Sequence, residues 1–262
     1  MKNVKESFNF LYTGHWLQGN LGEDRKDTGM LLKVFLETFK DKKNAPGLIM
    51  KTSGAGFSVI DREDILKKIR TIKNTVKAKT LPSVYLLHGD FTDDEMNELY
   101  NHPKVKAHVN ITHGEGFGRP LLEASISGKP VIASNWSGQT DFLTNDSILL
   151  PGTLINVGKD SLPKEFILDE SQWFQVNYQY ASNVLKEIYK NYSKYLTKSK
   201  KQAIINKTKF SLDKMTEKLD EILTKYLPKF EEQPQKVDLK LPKLKKIQKP
   251  KKVELPKLKK VN

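Results

Sequence analysis

Gly114-Glu115-Gly116-Phe117-Gly118-Arg119-Pro120-Leu121-Leu122-Glu123-Ala124-Ser125-Ile126-Ser127-Gly128-Lys129-Pro130 decides how this chain folds. The residues just before it, Ala107-His108-Val109-Asn110-Ile111-Thr112, alternate as a strand does. His113 to Gly118 then reads as a turn, and Pro120 stands where proline is favoured, in the first turn of a helix. Gly128 stops that helix at about Ser127, and Val131-Ile132-Ala133 re-enters a strand. Gly116 and Gly118 carry no side chains, so a ligand can approach the backbone closely, and the N–H groups and positive dipole end of the helix start favour an anion. A diphosphate fits that description. Glu123 sits one turn into the helix, where its carboxylate can accept from paired hydroxyls, and Glu115 precedes the helix and faces the same opening.

Outward from this unit the chain alternates strand and helix signals. Strands are expected at 8–12, 47–51 and 84–87, and helical spacing recurs at Leu31, Val34, Phe35 and Phe39 and at Ile65, Ile69, Ile72 and Val76. Thr92-Asp93-Asp94-Glu95 has the form of a capping box opening a helix through Leu99 and Tyr100. Strands separated by helical crossovers predict an α/β fold: one Rossmann-like, doubly wound parallel sheet with helices on both faces and ligands beyond the strands' carboxyl ends. From Ser171 onward the reading is helical. Trp173, Val176, Tyr180, Val184 and Ile188 form a stripe expected to pack on the sheet, and further helix is expected from Tyr195 to Tyr226. Two regions follow, a folded domain over 1–228 and a Lys/Pro-rich low-complexity tail over 229–262, expected to be disordered.

Composition bounds the function. With 262 residues, 37% of them hydrophobic, the chain can bury one sizeable core. It has no cysteine, which excludes disulfides, thiolate metal sites and a cysteine nucleophile. The first residues do not resemble a signal peptide and no apolar run is long enough to span a bilayer, so the expected compartment is cytoplasmic. The five histidines show no H-E-x-x-H spacing and there is no Asp-x-Asp, so neither a catalytic metal nor a cofactor is indicated. Gly54-Ala55-Gly56 is half of a dinucleotide fingerprint without its last glycine, and no P-loop is present. Of the net charge of +14, residues 229–262 supply +8 through twelve lysines against four acidic residues. That tail repeats Leu-Pro-Lys-Leu-Lys-Lys and has no aromatic after Phe230 for base stacking. It reads either as a solvated tail or as an attachment to an anionic surface, whether membrane, nucleic acid or acidic protein.

The Glu115-x7-Glu123 segment and its continuation through Leu143 resemble the donor-binding, carboxyl-terminal half of retaining glycosyltransferases of the GT-B architecture, the group 1 or family 4 type. The resemblance covers about residues 8–227. It implies transfer of a hexose from a nucleoside diphosphate sugar to a hydroxyl acceptor with retained anomeric configuration and no metal. Glu115 is then the catalytic residue, stabilising positive charge at the anomeric carbon, and Glu123 holds the ribose. Gly116, Phe117, Gly118 and Arg119 complete the donor-binding turn. Arg25, Lys26 and Lys51 are expected near the same sheet edge, where the first two answer to the family's Arg and Lys that neutralise the departing diphosphate. At Arg25 and Lys26 a solvated charge at a helix start is the competing reading. The family places Arg directly after the glycine closing the first strand, whereas here Gly14 is followed by His15. The resemblance also implies an acceptor domain, expected to come from a separate chain or from another copy. The alternative is a non-enzymatic module that keeps the fold, with or without sugar-nucleotide binding, and docks on an anionic surface through its basic tail.

Overall fold

Strand β1 (Asn9–His15) lies in the middle of a six-stranded sheet because it pairs on both sides, with β2 (Gly47–Ser53) and with β4 (Val105–Asn110). β3 (Val84–Leu87) extends the sheet beyond β2, and β5 (Val131–Ser134) and β6 (Ile148–Leu150) extend it beyond β4. The order is β3-β2-β1-β4-β5-β6 and every pairing is parallel. The chain therefore reverses its direction of travel across the sheet between β1 and β4. In an open parallel sheet the crevice above the carboxyl ends of the two strands at such a reversal is where ligands bind. The computed structural model describes residues 1–54, 56–158, 161, 168 and 170–228. The chain divides into a unit Met1–Leu219, which holds the sheet, and a second unit, Asp220–Asn262.

Side-chain alternation on β1 and β2 covers both faces. Phe10, Tyr12, Leu48 and Met50 point into one core, with α1 (Thr28–Phe39) and α2 (Val59–Thr75), and Leu11 and Ile49 point into the other, with α3 (Asp93–Asn101) and α4 (Arg119–Ile126). Each of these six strand side chains is 0% exposed, and each contributes about 1.5–3 kcal/mol on burial. A one-residue slip of β1 would exchange its two faces. The capping box at the start of α3 forms as the sequence predicts: Thr92 Oγ1 accepts from Glu95 N at 3.2 Å and Glu95 Oε2 from Thr92 N at 2.8 Å.

One expectation fails. Residues 172–176 are not the start of a helix but strand β8 (Gln172–Val176), antiparallel to β7 (Gly152–Asn156) in a second, two-stranded sheet. The i, i+3 spacing of Trp173 and Val176 suggested a helix. Yet Trp173, Phe174 and Val176 are residues that favour strands, and the partner strand lies about twenty residues back in the chain, outside any local window. The helix begins later, at α5 (Tyr178–Lys190), and its buried residues are Ala181, Leu185 and Ile188, whereas Tyr180 is 47% exposed. The helical reading of 195–226 resolves into α6 (Tyr192–Lys209) and α7 (Leu212–Tyr226). No helix among the described residues is long and apolar enough to cross a membrane. The expected disorder of the Lys/Pro-rich tail, 229–262, falls outside the described residues.

Candidate functional site

Two loops meet at the β1/β4 reversal, the one leading from β1 to α1 and the one leading from β4 to α4. They are joined through the backbone: Arg25 O accepts from His113 N at 3.0 Å and from Thr112 Oγ1 at 3.1 Å. Gly118, at φ 89°, turns the second loop into α4 in a conformation other residues adopt only with strain, and no side chain caps the helix start. A third loop, after β5, seals the turn from below. Gly138 N donates to Glu115 O at 3.1 Å, and a Cβ at Gly138 would lie 2.2 Å from Gly116 O. Ser137 Oγ accepts from Glu115 N at 2.9 Å and also bonds Glu115 O. The peptide of Glu115 is thus held on both sides while its side chain projects into the crevice.

That side chain is 8% exposed and carries a short ion pair to Lys26 Nζ, itself on a side chain 9% exposed. Burial pushes the Lys26 ammonium below its ordinary value, and the neighbouring Glu115 carboxylate opposes that shift. Arg25 Nη1 adds a second cation 3.6 Å from Glu115 Oε2 and donates to Gly114 O at 2.8 Å. Two cations face one carboxylate, so the cluster has a net charge of +1 before any ligand arrives.

Glu123, eight residues on, occupies the first turns of α4. Its Oε1 accepts from Arg119 Nε at 2.5 Å, and Arg119 reaches across to Asp93 Oδ1 at 3.1 Å. Burial raises the Tyr100 phenol, and the Glu123 carboxylate beside it adds to that shift. Phe117 is 44% exposed and packs its ring on Phe142 and Phe210, with centroids 5.2 and 6.3 Å away. Gly116 faces open space.

Lys51 stands apart from this group. It was expected to end the second strand, but β2 runs on to Ser53, and Lys51 Nζ donates to Gly89 O at 2.8 Å and lies 4.6 Å from the Phe91 ring centroid. Burial pushes its ammonium down, with Asp90 opposing. Lys51 therefore lies on β2, two strands from β4, and turns toward the loop after β3. His15, in the place of the family's arginine, meets Ser53 Oγ at 3.2 Å.

A cavity of about 490 Å³ opens at Glu115, and part of its wall was not legible in the sequence. Arg25, Glu115 and Gly116 were expected there. Trp136, Ser137, Gln172 and Trp173 were not, because they arrive on the loop after β5 and on β8. Trp136 is 41% exposed and stacks on Phe174 with centroids 5.9 Å apart and an interplanar angle of 8°. Trp173 stacks on His113 at 4.1 Å and 12°. A larger cleft of about 800 Å³ lies between the loop 16–21 and α2, floored by Trp16, Ile65 and Ile72.

The family model described as "Glycosyl transferases group 1" matches residues 33–167. No curated protein matches the chain in sequence. Among solved structures, the carboxyl-terminal domain of the glycosyl transferase group 1 protein LpcC from Francisella tularensis is similar at 14% identity and a TM-score of 0.54, over 80% of this chain and 90% of that one. Anabaena HepE, crystallised in complex with UDP-glucose, is similar at 15% identity and a TM-score of 0.55, over 83% of this chain and 49% of that one. Sucrose-phosphate synthase from Thermosynechococcus elongatus gives 16% identity and 0.55, over 83% and 45%. The chain thus spans about half the length of the latter two proteins. At such identities the likeness establishes the fold.

Proposed function

Because the chain belongs to the glycosyl transferases group 1 family, we propose that it binds a nucleoside diphosphate sugar at the β1/β4 reversal and transfers the hexose to a hydroxyl acceptor with retained configuration. The observation that carries this reading is the ion-paired cluster of Glu115, Lys26 and Arg25 over the carboxyl ends of β1 and β4, with Glu123 on the helix that starts beside it. Lys26 and Arg25 offer the cationic charge that a departing diphosphate needs, an electrostatic contribution of about 3 kcal/mol per preorganised donor, and no metal is required for that role. Glu115 is then released from full neutralisation by the same cations and can stabilise positive charge at the anomeric carbon. Glu123 accepts from the ribose hydroxyls, and the start of α4 receives the phosphates. Arg119, Gly116, Phe117 and Gly118 shape the turn, and Lys51 serves the outer part of the donor beside Gly89. In this reading an acceptor-binding domain completes the transferase.

The test separates binding from chemistry. With UDP-glucose as first probe, Glu123→Ala should weaken binding, whereas Glu115→Gln should slow release of UDP far more than it changes affinity. Unchanged affinity and rate in both variants would remove the proposal.

A further inference from the structure

Behind the cation cluster lies a second, fully enclosed group that the proposed chemistry does not use. Asp27, the residue after Lys26, is 0% exposed and adopts a left-handed backbone at φ 51°, ψ 34° as it opens α1. A non-glycine residue persists there only when its surroundings fix it. Its Oδ2 accepts from Tyr178 Oη of α5 at 2.7 Å. Its Oδ1 has no hydrogen-bond partner and lies 3.8 Å from His113 Nε2. The His113 ring, stacked on Trp173 of β8, meets Phe174 O through Nδ1 at 2.7 Å and Gly22 O through Nε2 at 3.2 Å. Carbonyl oxygens only accept, so both ring nitrogens face groups that ask for a proton, and a neutral imidazole has one N–H. One further proton therefore has two claimants, the second ring nitrogen and the Asp27 carboxyl.

We propose that Asp27 and His113 are positioning residues that share one buried proton, and that this proton holds the Arg25–Lys26 segment against the Glu115 loop. With the proton present the pair is neutral overall, as carboxylic acid and imidazole or as carboxylate and imidazolium. Without it a bare carboxylate is left in an enclosed site, which folded structures avoid. The segments held are the ones the donor site needs: Asp27 follows Lys26 directly, His113 N donates to Arg25 O, and Glu115 is two residues past His113. The other ionisable groups facing the pair are Asp24, whose carboxylate accepts from Thr28 N at 3.1 Å, Tyr178, and Tyr12 of β1, whose hydroxyl meets Thr28 Oγ1 at 2.7 Å. Burial pushes the Asp27 carboxyl up to about 8, with the Tyr178 bond opposing and the Asp24 charge adding. Burial pushes His113 down, opposed by its two carbonyl partners and the Asp24 charge.

The consequence for the site rests on the donor-binding reading above, so the test has two readouts. A carboxyl raised in the folded state makes stability fall with rising pH, from its unfolded value of 3.8 up to about 8, after which the loss is complete. The melting temperature of the wild type should show this decline, and Asp27→Asn, a permanently neutral isostere, should lose it. UDP affinity of the wild type should drop several-fold as pH rises through about 8, and Asp27→Asn should lack that step. Tyr178→Phe removes the bond that opposes the shift and should move both midpoints to higher pH. If Asp27→Asn follows the wild-type stability profile, or Tyr178→Phe leaves the midpoints in place, the shared proton is refuted. Stability differences as described with no UDP binding at any pH would support the proton and refute the donor reading.

Discussion

Lys26 carries the heaviest demand of any single residue in the crevice. It must remain charged although burial opposes its charge, and Glu115 is the group that keeps it so. Lys26→Ala should therefore remove one charge-assisted contact to a diphosphate, about 1.5–3 kcal/mol, or roughly ten- to a hundredfold in UDP affinity by calorimetry. An effect below twofold would place the phosphates elsewhere. Gly138 is as constrained by geometry as Lys26 is by charge. Gly138→Ala drives a methyl into Gly116 O and should displace the Glu115 peptide, lowering both the melting temperature and UDP affinity, whereas Gly116→Ala meets nothing within 4 Å and should leave the melting temperature unchanged. At this scale the sequence was legible where the site is contiguous. Glu115 and Glu123 sit on one turn and helix, and the structure brings Arg25 and Lys26 to Glu115, but Trp136, on the loop after β5, and Trp173, on β8, carry no mark that local spacing could read.

Among the elements, the helices with explicit start signals are the ones the sequence located well. The Thr92 box is local chemistry and was read directly, whereas the Ser58 cap of α2, whose hydroxyl accepts from Asp61 N at 3.1 Å, was not singled out, and α2 was recognised only from its apolar spacing. Thr92→Ala should cost about 1 kcal/mol in chemical denaturation, because Glu95 N loses its acceptor. A loss below a few tenths would show that the cap is dispensable. The pair β7/β8 escaped because antiparallel pairing is a long-range property: Trp173 faces Ile155 across the ladder, and Phe174 N also donates to His113 O at 3.1 Å. β8 thereby serves the site as well as the fold, since one of its residues holds the His113 backbone and another stacks on the His113 ring. A proline at Phe174 would remove that donor and should lower UDP affinity along with stability.

For the whole molecule, the parallel order β3-β2-β1-β4-β5-β6 puts every proposed donor contact except Lys51 on the loops around one reversal or on the start of α4, and the alternation of strand and helix signals was enough to anticipate the doubly wound parallel sheet, though not its strand order. Charge is distributed differently from structure. Residues 192–209 hold six lysines and no acidic residue, and 229–262 add +8, so the basic character of the chain is concentrated after the sheet. Retention on vesicles containing anionic lipid should accordingly weaken as salt rises and fall when 229–262 is deleted. Retention unaffected by either change would remove the anionic-surface reading of the tail.

The central claim is a nucleoside diphosphate sugar site at the β1/β4 reversal. It is tested most directly by thermal shift of the purified protein against uridine, guanosine and adenosine diphosphates and their sugar conjugates, since a ligand specific to the folded state raises its melting temperature. The account predicts a rise with one nucleoside diphosphate and its sugar conjugate that is lost in Glu123→Ala and reduced in Lys26→Ala. No rise across the panel, or a rise of the same size in both variants, would contradict it.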